Sequence, residues 1–114
     1  LNGKREESKL IIEDALTRIL KNQKVNGLLG YRPSDDDGSY FNYELSVYGY
    51  QVLGMANKQG YAIDMNAFKK LESALSTAKS TPTQLLQFFL TQSLLGKTVN
   101  TAKVEELVKA SKNA

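Results

Sequence analysis

Cysteine and histidine are both missing from the chain. Their absence excludes thiolate and imidazole chemistry, removes the usual zinc ligands, and leaves no way to build a nucleophile–histidine pair. It does not fix a compartment, because a chain without disulfides suits a reducing cytosol and equally a secreted domain that needs no staples. Concentrated charge is missing as well. Fifteen basic residues stand against 12 acidic ones, a net charge of +3, and the lysines are scattered along the chain. Phosphate recognition needs a gathered basic face, so nucleic acid is not an expected partner. No apolar run approaches the roughly 20 residues of a membrane span. The opening Leu1-Asn2-Gly3-Lys4-Arg5-Glu6-Glu7 is polar and has no apolar core of a leader segment. Because the chain does not begin with Met, we expect it to be a piece of a larger protein.

What is present points to one helical domain covering residues 1–114. A chain of this size buries roughly two-thirds of its unfolded surface, and its 41% apolar residues supply a core without metal or disulfide. Leu10, Ile11, Ala15, Leu16, Ile19 and Leu20 recur at spacings of three and four, which predicts an amphipathic helix from about Ser8 to Gln23. Asn26-Gly27, Gly30 and the run Arg32-Pro33-Ser34-Asp35-Asp36-Asp37-Gly38 then make a turn-rich loop. Ser39 is the expected cap of a second helix that reaches Gln59, with Gly60 in the left-handed position beyond it. Two apolar stripes, Phe41-Leu45-Tyr48-Val52-Met55 and Tyr40-Tyr43-Val47-Tyr50-Leu53, leave this helix little polar circumference, the mark of a helix packed on both faces.

Asp64 is the expected cap of a third helix, Met65 to Ala78, with Phe68, Leu71, Ala74 and Leu75 inside and Lys69, Lys70, Glu72 and Lys79 outside. Thr81-Pro82-Thr83-Gln84 offers a capping box with proline at the first helical position. The uncharged body from Leu85 to Leu95 then runs to Gly96 as a second inner helix. Thr101 to Lys112 closes the chain as an amphipathic helix. The resulting fold class is all-α: about five helices in antiparallel hairpins, alternating outer and inner, with inner helices spaced about forty residues apart. This is the burial pattern of stacked or radially arranged helical hairpins, as in solenoids or in a partial α/α toroid, the terpenoid cyclase and prenyltransferase architecture. Both inner helices, near residues 40–58 and 83–95, are expected to be dry all round because other helices enclose them, and the paired-helix ring rests on that premise. A five-helix piece of an open ring would expose apolar flanks of these two helices, so it is expected to self-associate or to pack as a compact bundle.

Four segments carry a family resemblance: Ala15 to Gln23, Asn26 to Tyr31, Ser39 to Leu45, and Ala56 to Asp64. A helix ending in Gln, a Gly-aromatic turn, a capped aromatic-rich helix and an Ala-Asn-Lys-Gln-Gly-Tyr end together resemble the thioester-domain toroid of α2-macroglobulin-like proteins, above all the bacterial ones. Residues 10–78 carry the likeness. A similar Gly-aromatic turn occurs in terpenoid cyclases and in prenyltransferase β subunits. The resemblance implies a secreted or periplasmic protease-trapping protein, in which this segment is a non-catalytic module that meets neighbouring domains and a trapped protease. With no cysteine the chain cannot contain the family's thioester, so no catalytic residue and no cofactor is carried over. A toroid-type enzyme or carbohydrate-binding domain with the acidic loop at its cavity is the alternative, and a free-standing helical-repeat adaptor is a third.

Asp35-Asp36-Asp37 supplies the metal candidates, Asp35 and Asp37 for calcium. The offsets of Gly38 and of the next Glu do not fit an EF-hand. The spacing also departs from the acid motif of type II terpenoid cyclases, and the simpler reading is a solvated turn near a helix N-terminus. Tyr31, Arg32, Tyr40, Tyr43 and Glu44 form the candidate binding surface, since aromatic residues mark recognition sites. The competing reading makes the tyrosines core residues with hydroxyls sent to surface partners, and makes Glu44 a buried carboxylate paired with Arg32. Gly27, Gly30 and Gly38 lack the lysine of a phosphate loop and serve tight turns.

Overall fold

The computed structural model describes residues 2–30 and 42–113. Among the described residues five helices follow one another: α1 (Asn2–Lys21), α2 (Tyr43–Lys58), α3 (Met65–Thr77), α4 (Pro82–Leu94) and α5 (Thr101–Asn113). Among the described residues there is no strand, and an isolated antiparallel bridge between Gln23 and Leu29 is the nearest approach to one. The all-α expectation therefore holds. Closure into a ring is not seen among the described residues.

Local signals place most of the helix ends. Asp64 caps α3 by accepting from the Ala67 amide, and Thr81 and Gln84 complete the capping box of α4. α2 and α4 both end in a Schellman turn on glycine: Gly60 and Gly96 have φ of 98° and 81°. The amides of Tyr61 and Lys97 return to the carbonyls of Ala56 and Gln92. Two boundaries differ from expectation. α1 already starts at Asn2, because Lys, Arg and Glu propagate a helix without any apolar period to announce it. α2 starts at Tyr43 with Asn42 as its cap, its side chain accepting from the Leu45 amide and its backbone extended, so the helix is not continuous with the expected cap Ser39, which lies outside the described residues.

The core sits where α2, α3 and α4 meet. Tyr50 and Phe88 touch ring to ring at 5.4 Å, and further along both helices Gly54 lies under Leu95. Residue number rises the same way in both contacts, so α2 and α4 run parallel with α3 returning between them. A Cβ on Gly54 would come within 2.6 Å of Leu95 Cδ1, which explains a glycine inside a helix despite its cost of ~1 kcal/mol against alanine. α5 folds back along α4.

The segment after α1 does more than turn. Leu28 and Leu29 are fully buried, although the sequence marks this stretch only as a break. The Ser46 hydroxyl on α2 accepts from the Leu29 amide at 2.8 Å and donates to the Asn42 carbonyl at 2.7 Å, while the Asn42 amide donates to the Leu29 carbonyl at 3.0 Å. Gln23 reaches across to the carbonyl of Ala67 on α3 at 3.0 Å. These polar ties fasten the end of α1 and its turn to both neighbouring helices.

Candidate functional site

Five sequence candidates, Tyr31, Arg32, Asp35, Asp37 and Tyr40, lie outside the described residues. The other two are separated by the fold. Tyr43 is 5% exposed and donates its hydroxyl to the Leu75 carbonyl at 2.8 Å, so it belongs to the core and not to a binding surface. Burial holds its phenol above the usual range, against a hydrogen bond with Ser80 that pulls it back. Glu44, one position on, points the other way and is exposed. The reading of Glu44 as a buried acid is thereby corrected: in the first turn of α2 its carboxylate faces water, near the positive end of the helix.

Glu44 stands instead at the edge of an open groove of about 420 Å³ between the parallel helices α2 and α4. Val47, Tyr48 and Gln51 continue the α2 wall, and Gln87, Leu90, Thr91 and Leu94 form the α4 wall. Val47 and Thr91 are buried in its floor, whereas Tyr48, Leu90 and Leu94 are 65%, 52% and 72% exposed. The Thr91 hydroxyl donates to the Gln87 carbonyl at 2.8 Å. Both inner helices therefore have an open side, and the expectation that each is dry all round is overturned for this chain. The reason is geometric: α3 and α4 cover the Tyr43-Val47-Tyr50-Leu53 stripe of α2, whereas on the other stripe Ile19 of α1 approaches Leu45 and Val52 but, among the described residues, Tyr48 and Met55 stay exposed.

A second polar constellation went unread in the sequence. Glu72, assigned to the wet face of α3, is half-buried and accepts a short hydrogen bond from the hydroxyl of fully buried Tyr50. Lys97, beyond the end of α4, pairs with the same carboxylate at 2.9 Å and lies 5.8 Å over the Phe68 ring. Burial raises the pKa of Glu72, but the hydrogen bonds from Tyr50 and Lys97, the Lys97 charge and a hydrogen bond from Gln92 outweigh it and hold the carboxyl below its ordinary 4.5. Tyr50 moves oppositely: desolvation first, then its bond to Glu72, pushes its phenol far above the usual range. None of the three lines the groove. They link α2, α3 and the α4–α5 connection, which is the work of a structural tie. The one available signal was spacing, since Glu72 follows Phe68 by one helical turn and so borders the buried stripe.

Among the described residues no group of three or more acidic side chains is placed to hold a metal, and no helix is long and apolar enough to cross a membrane. Comparison of the chain with family models, with curated proteins and with solved structures finds no match to any of them. The class the structure defines is a small all-α domain with a groove of mixed polar and apolar lining open along a parallel pair of helices.

Proposed function

We propose that the chain is a non-catalytic interaction module, a set of helical hairpins from the α/α toroid of an α2-macroglobulin-like protease-trapping protein, secreted or periplasmic. On this reading its partners are adjoining parts of the same protein and, at one remove, the captured protease. The sequence resemblance over residues 10–78 suggests the family. The observation that carries the reading is the parallel side-by-side placement of α2 and α4, joined through the returning α3, with Tyr48, Leu90 and Leu94 open along their shared edge. Inner helices of a ring of hairpins run parallel, and the next hairpin stands against such an edge. A helix laid in the groove would bury apolar surface at about 25 cal/mol per Å², with Glu44, Gln51 and Gln87 left as a polar rim.

The chain's lack of cysteine makes a clean test available. A single Leu94→Cys thiol should react with maleimide at the rate of an open surface residue in this chain alone. In the longer natural polypeptide it should react at least about tenfold more slowly, the factor that 1.4 kcal/mol of protection provides. Equal rates in the two contexts would show that nothing docks on this edge and would overturn the reading.

A further inference from the structure

We draw no further inference here: the strongest candidate, the small apolar cavity of about 150 Å³ between the end of α1 and Gly49 of α2, is lined by Gly30 at the border of residues 31–41, which lie outside the described residues, and nothing in the structure shows what covers it.

Discussion

The ring of Tyr50 lies flat on that of Phe68, centroids 4.8 Å apart and planes 10° from parallel, while its hydroxyl donates to Glu72 one turn further along α3. One side chain thus supplies apolar area and a polar tie to the same neighbouring helix. Tyr50→Phe keeps the ring and deletes the donor, and should cost about 1–2 kcal/mol in urea denaturation. Tyr50→Ala empties the centre of the core and should cost about 3–5 kcal/mol. Native stability in the Phe variant would mean that the hydroxyl contributes nothing.

Acid should act through Glu72. Its folded pKa lies below the unfolded value of 4.5, so the carboxylate's contribution is complete above that pH and is lost as pH falls through the folded value. The side chain is 30% exposed, so screening keeps the ion-pair share small. Glu72→Gln should lower stability at neutral pH by about 1 kcal/mol and flatten the decline below pH 4.5. Tyr43 and Tyr50 give the opposite limb: both phenols are raised above 10.0, so their protonated forms stabilise the fold up to that pH and the gain fades as pH climbs beyond it. Denaturation midpoints across both limbs measure this, and an acid limb of the same slope in the Gln variant would remove Glu72 as its cause.

Ser46→Ala should prove worse than its size suggests. The hydroxyl is fully buried and is the partner of the Leu29 amide, and an unsatisfied buried donor costs about 1–3 kcal/mol. Amide exchange at Leu29 should quicken before exchange in the centre of α3 does. Unchanged protection at Leu29 would show that another group satisfies that amide.

The open edge has a consequence for the isolated chain. Sedimentation should show self-association that grows with concentration, because Tyr48, Leu90 and Leu94 expose apolar surface side by side. Replacing Leu90 and Leu94 together by Lys should give a monomer with stability changed by less than about 0.5 kcal/mol, since both sites are solvated. A native chain that stays monomeric at every concentration would remove this edge as a contact surface.

The helices were legible where chemistry is local. Thr81-Pro82-Thr83-Gln84 and Asp64 announce the starts of α4 and α3, and Gly60 and Gly96 announce two ends, because caps and Schellman turns depend on a few adjacent residues. Leu28 and Leu29 were not legible as core: two apolar residues between glycines have no period, and the Ser46 hydroxyl that receives them lies far along the chain. The site was less readable still. The periodicity of α2 counts its apolar stripes but does not say which one α3 and α4 will cover, so Tyr43, a surface candidate, went inside and Tyr48 stayed out. Glu72 was misplaced for the same reason, since Tyr50 and Lys97 come to it from other elements.

The bond from the Asn42 amide to the Leu29 carbonyl, with Ser46 bridging the same two residues, pins the start of α2 to the turn that follows α1. Separating the end of α1 from α2 would have to break the backbone bond and the serine bridge together, so the two contacts act as a single latch.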